Sequence, residues 1–218
     1  MNWDSIKNLG GIGALLLFIG AILFIVHPYI GGTTAFVGFI LVLVALHEFA
    51  DYYKDQGIFT TALYGFIAGI VAVVVSVAVV FLAVLPQAKD TLQLIYPGWD
   101  GNWASLAGMT PSTANLNPND FIPLFGSLVL ILFVIWIFAI IITFLYRKPL
   151  KTLAEKSGKH LFETTSLILL IGGVLTIVLI GLLLIWVALL MLAIAFFTMK
   201  KQEPAPADAA VAPAPSSI

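Results

Sequence analysis

From Phe162 to Thr198 the chain runs for 37 residues with one ionisable side chain, Glu163, near its start. No water-exposed surface can be built from such a run. A lipid bilayer can accept it, because a spanning helix needs about 20 mostly apolar residues. As one α-helix the run would be roughly 55 Å long at 1.5 Å per residue, nearly twice the hydrocarbon thickness of about 30 Å. It is therefore expected to be two helices, 162–178 and 182–199, with the break near Leu179-Ile180-Gly181. No polar turn marks that break. A hairpin buried at the outer interface is the plain reading, and one long tilted helix is the alternative.

Four further runs meet the same criterion, at 9–26, 33–52, 60–85 and 121–146. His27-Pro28-Tyr29-Ile30-Gly31-Gly32 reads as the turn between the first two, since Pro and Gly stop and restart helices. The expected fold is thus an all-α integral membrane bundle of six transmembrane helices over 1–201. Composition agrees: 61% of residues are hydrophobic and 10% charged, with a mean hydropathy of +1.09, against about a quarter charged in soluble domains. The N-terminal run carries Lys7 but lacks a convincing small-residue cleavage site, so a retained first helix is expected rather than a removed signal peptide.

The positive charges set an expected orientation. With six spans and the N-terminus in the cytoplasm, Lys7, Lys54, Arg147, Lys148, Lys151, Lys156, Lys159, Lys200 and Lys201 all fall inside, and only Lys89 falls outside. Five spans would place Lys200 and Lys201 outside. The expectation is a multi-pass cell-membrane protein with both termini cytoplasmic. Segment 86–120 would be the one long outer loop, with Tyr96, Trp99 and Trp103 at the interface and possible helical turns at Thr110-Pro111 and Asn117-Pro118. Segment 147–160 would be a basic cytoplasmic loop in which Glu155, Lys156 and Lys159 form a short surface helix. The Pro/Ala-rich stretch 202–218 cannot bury a core and reads as a disordered tail.

Internal similarity suggests one helical hairpin used three times. Ile19-Gly20-Ala21-Ile22-Leu23-Phe24-Ile25-Val26 is similar to Ile171-Gly172-Gly173-Val174-Leu175-Thr176-Ile177-Val178. Gly57-Ile58-Phe59-Thr60-Thr61 parallels His160-Leu161-Phe162-Glu163-Thr164, which brings Gly69 into register with Gly172.

The opening Leu9-Gly10-Gly11-Ile12-Gly13, the stretch Ala50-Asp51-Tyr52-Tyr53-Lys54 followed by Gly57-Ile58-Phe59, and the closing Leu161-Phe162 to Phe196-Phe197 carry a resemblance. The chain resembles an uncharacterised, largely archaeal membrane family, domain-of-unknown-function family nine-nine-six. The likeness covers most of Leu9 to Phe197. It implies the multi-spanning topology and no catalytic role.

Candidate chemistry is sparse. His47, Glu48 and Asp51, extended by Asp55, are the densest polar cluster, and His47 and Asp51 at i, i+4 would share a helix face. An imidazole with carboxylates could hold a divalent metal, but the H-E-x-x-H pattern lacks its second His, and a solvated helix end is the better account. Arg147, Lys148, Lys151, Lys156 and Lys159 act as topology determinants and could also hold anionic lipid headgroups. Gly10, Gly13, Gly20, Gly69, Gly172 and Gly173 suit close helix packing. No Asp, Glu, Lys, Arg or His lies near the middle of a span, which argues against an ion-coupled transporter. With no cysteine, thiol and iron–sulfur chemistry are excluded. A net charge of −1 gives no reason to expect nucleic acid, and no cofactor is expected. The leading reading is a non-catalytic scaffold or accessory subunit that packs with itself or with a larger membrane complex. A channel or facilitator for small neutral or hydrophobic solutes is second, and a membrane metalloenzyme third.

Overall fold

A computed structural model describes residues 2–112 and 116–201; the expected tail at 202–218 lies outside the described residues. Among the described residues seven α-helices follow one another: α1 (Trp3–Val26), α2 (Pro28–Tyr52), α3 (Gly57–Val79), α4 (Leu85–Ile95), α5 (Ile122–Ser157), α6 (His160–Leu175) and α7 (Ile180–Phe197). Lipid offers no hydrogen-bond partner, so backbone groups in these apolar runs must bond within their own segment. Among the described residues six helical stretches are long and apolar enough to cross a membrane, with α3 and α4 forming one of them.

Three boundaries differ from expectation, each for a reason at a proline or a glycine. First, α2 starts at Pro28, so the turn after α1 is the single extended residue His27. Proline suits the first helical position, where its missing N–H costs nothing. Gly31 lies inside α2, where a Cβ would strike the backbone of Phe24 and Leu23. Second, the helix of α3 does not stop near Pro86. A π-helical turn, Val80–Val84, joins it to α4, and the Leu85 N–H bonds the Val80 carbonyl. The wider turn absorbs the bond that Pro86 cannot make, so the outer loop begins only at Tyr96. Third, α5 continues through the basic segment to Gly158, a left-handed cap at φ 65°. Pro149 sits inside the helix, and Leu150, Leu153 and Ala154 on the next turn are buried. The separate surface helix expected around Glu155 is therefore the last turns of α5.

In the loop after α4, a short 3-10 turn at Pro118–Phe121 follows Asn117 with a reciprocal capping box to Asp120. Residues 110–112 are not helical. Asp100 accepts hydrogen bonds from the Asn102 N–H at 2.9 Å and the Ser105 hydroxyl at 3.0 Å, which hold its carboxyl below the usual range.

The last apolar run breaks near the expected place. α6 ends at Leu175, Thr176–Val178 forms a 3-10 turn, and Leu179 takes a left-handed conformation at φ 64° before α7. A Cβ on Gly181 would collide with the Gly172 carbonyl and with Thr176, so glycine lets the hairpin close this tightly.

The spans form three hairpins, α1/α2, α3/α5 and α6/α7, arranged as a ring in chain order in which α7 returns to α1. Side chains cross the seams. The Tyr146 hydroxyl of α5 donates to the Ala62 carbonyl of α3 at 3.2 Å. The Trp136 indole of α5 donates to the Val174 carbonyl of α6 at 2.9 Å, and the Trp186 indole of α7 donates to the Phe18 carbonyl of α1 at 3.3 Å. The Phe18 ring also stacks on Trp186 at 4.6 Å between centroids.

The six spans alternate in direction, so nine of the ten Lys and Arg residues gather at one end of the ring. The tightest packing lies at that same end. Phe49, Phe162 and Phe196 are fully buried there with Leu46, Ile58, Leu150 and Leu153. Phe196 lies 5.1 Å from Phe162 and 6.0 Å from Phe49. These rings plug the charged end.

Candidate functional site

Helix α2 carries the polar cluster out of the apolar zone. His47 Nδ1 lies 3.7 Å from Asp51 Oδ2, and both side chains are about half exposed. The Gln56 side-chain amide donates to Asp51 at 2.7 Å, and the Asp55 carboxylate caps the Gly57 N–H at 3.1 Å. The His47 ring stands edge-on to Phe59 at 4.6 Å. These contacts tie the end of α2 to the start of α3. Among the described residues no group of three or more His, Cys, Asp or Glu is placed to hold a metal.

Beside this cluster, Tyr53 follows α2 and packs against Trp3 and Tyr52. Burial, with a smaller contribution from Tyr52, pushes its hydroxyl up to about 12. Both the Tyr53 hydroxyl and the Trp3 indole N–H are buried without a hydrogen-bond partner.

The glycines divide into two kinds. A Cβ on Gly10 would come within 2.8 Å of the Phe196 ring, and one on Gly20 within 2.7 Å of the Ala35 backbone nitrogen. Gly13 and Gly38 face each other across α1 and α2: a Cβ on Gly13 would lie 2.7 Å from the Gly38 carbonyl oxygen. Gly172 abuts Ile185 of α7 at 2.9 Å, and Gly173 abuts Thr143 of α5. Gly69 differs. No heavy atom lies within 4 Å of its Cβ position, so the packing role expected for it is not met within this chain. Gly69 and Gly172, in register by sequence, therefore sit in opposite surroundings.

Gly69 is open because α2 and α3 meet near the charged end and diverge beyond it. Phe39 stacks on Phe66 at 5.3 Å and meets Tyr146 at 5.8 Å. Beyond these rings lies a lateral groove of about 460 Å³, lined by Leu17, Gly32, Ala35, Phe36, Phe39, Phe66, Gly69, Ile70, Val73 and Val74. Sequence reasoning missed it. Its α3 wall follows a helical i, i+3, i+4, i+7 stripe, but no such stripe stands out in a span that is apolar all round.

The five basic residues split in space. Arg147, Lys148 and Lys151 line a second cleft, of about 310 Å³, with Thr61, Phe144 and Leu145. Lys156 lies in the last turn of α5, and Lys159 caps α6.

The uncharacterized protein MJ1644 of Methanocaldococcus jannaschii is 26% identical over 199 residues, covering 91% of this chain and 94% of that protein. No solved structure matches the chain. A family model described as a protein of unknown function, DUF996, matches residues 34–190, and the chain belongs to that family.

Proposed function

We propose that this multi-pass protein is non-catalytic and acts by association in the cell membrane, packing with itself or within a larger membrane complex. The lateral groove between α2 and α3 carries this reading. Gly32 and Gly69 bring backbone to the groove surface, and small residues at apolar surfaces let a second helix approach closely. A second copy of this chain is the occupant we favour. The apolar 18-residue stretch of the span that begins with α3 is 0% buried and that of the α5 span 6%, against 28–39% in the other four. Helix α3, which walls the groove, is thus with α5 the least covered of the described spans. A two-fold pairing would place α3 of each copy in the groove of the other, as an isologous interface requires.

The aromatic plug at the charged end supports a scaffold over a channel, because Phe49, Phe162 and Phe196 fill the ring where a pore would have to pass. The end bearing nine of the ten Lys and Arg residues is assigned to the cytoplasm with both termini. The basic segment there would also contact anionic lipid.

The test is the mass of full-length protein reconstituted in lipid nanodiscs. A dimer or larger assembly is expected, and Gly69→Phe should reduce it to monomers. Gly126→Phe, at another glycine with an open Cβ position, should leave it intact. A monomeric wild type, or an assembly indifferent to Gly69→Phe, would overturn self-association through this groove.

A further inference from the structure

We propose that the cleft between the start of α3 and the basic turn of α5 is a discrete site for one anionic phospholipid. Its phosphate would be held by Arg147, Lys148 and Lys151, with an acyl chain laid against Phe144 and Leu145. This rests on the reading that the basic segment meets anionic lipid, and narrows it from five cations to three.

The chemistry of the cleft changes along α5 as a phospholipid changes along its length. Phe144 is 62% exposed and faces the apolar zone. Three residues later Arg147 joins the lining with Lys148 and Lys151, which meet the cleft mainly through their carbon stems and carry the positive charge beyond them. The carboxylate nearest Lys151 is Glu155, at 3.9 Å with both side chains more than half exposed. An ion pair of that kind contributes little, so it leaves Lys151 available to an anion. The opposite wall is Thr61, one turn into α3, where the helix N-terminus adds a partial positive field. Lys156 and Lys159 carry the same charge but do not line the cleft. A phosphate with no apolar chain would leave Phe144 and Leu145 unused, and this favours a lipid over free phosphate.

The experiment counts lipid on the full-length protein. Protein is reconstituted in nanodiscs of phosphatidylcholine doped with phosphatidylglycerol, released, and read by native mass spectrometry. Wild type should retain one phosphatidylglycerol. Lys148→Gln with Lys151→Gln should weaken retention about thirtyfold, since each cation near an anionic surface contributes roughly fivefold. Lys156→Gln with Lys159→Gln removes the same charge outside the cleft and should change it less than about threefold. Equal loss in both double variants would overturn the discrete site and leave diffuse attraction standing. No retention by wild type would overturn both. Displacement by millimolar inorganic phosphate would identify free phosphate as the ligand and overturn the lipid assignment.

Discussion

The same substitution at two glycines should have unequal effects. In Gly13→Ala the new methyl lies 2.7 Å from the Gly38 carbonyl oxygen and 2.8 Å from the Val42 nitrogen. Ordinary contact begins near 3.4 Å, so α1 and α2 must part by about 0.7 Å (3.4 − 2.7). Both obstacles are backbone and cannot rotate away. Overpacking of this kind costs about 1–3 kcal/mol. In water the better helix propensity of alanine would offset up to about 1 kcal/mol. Spans unfolded within a micelle remain helical, so that compensation largely disappears. Gly13→Ala should therefore destabilise by about 1–3 kcal/mol. Gly69→Ala, with nothing of its own chain within 4 Å, should leave unfolding of the separated chain within about 0.5 kcal/mol of wild type, because within one chain it is a surface change away from a packed contact. The assay is a sodium dodecyl sulfate titration in mixed micelles, followed by circular dichroism and Trp fluorescence. Equal effects at the two positions, or a neutral Gly13→Ala, would refute the close contact between α1 and α2.

Two further predictions concern the charged end. Tyr53 has its pKa raised from 10.0 to about 12 by burial. An acid raised in the folded state stabilises fully below its unfolded value and loses that stabilisation as pH rises through the folded one. The thermal midpoint should fall between about pH 10 and 12 beyond any general alkaline loss, and Tyr53→Phe should remove that extra slope. For orientation, the chain contains no cysteine, so single-Cys variants have no background. In intact cells a membrane-impermeant maleimide should label Ala104→Cys in the outer loop and spare Lys156→Cys. The reverse pattern would invert the assignment of the charged end.

Much of the architecture was legible because lipid imposes a simple rule of length. The run from Phe162 to Thr198 was too long for one crossing, and the break at Leu179 follows. The spans expected to end at 85 and 146 both run on as helix past a proline, Pro86 and Pro149. In the folded protein a π turn accommodates the first, while burial of Leu150 and Leu153 carries the helix past the second. The splay of α2 from α3 left no trace in the pattern. Lipid and protein interior are equally apolar, so residues facing either carry the same letters. Gly69 and Gly172 show the limit: both are glycine in apolar helices, yet one is packed and the other open. The basic cluster was visible as charge, but its division into cleft-lining and outlying residues depends on which way α5 turns.

The order of spans around the ring has a consequence for biogenesis. Each seam joins spans that are neighbours in sequence, apart from the one between α1 and α7. As spans leave the insertion machinery one after another, each can dock on its predecessor through short loop closures. The remaining seam must wait for the last crossing, when Phe196 reaches Gly10 and Trp186 reaches Phe18. Until then the first hairpin has one open side, and the aromatic plug lacks its central ring. Stalling or truncation before α7 would thus leave an open arc of five crossings, a substrate for membrane quality control.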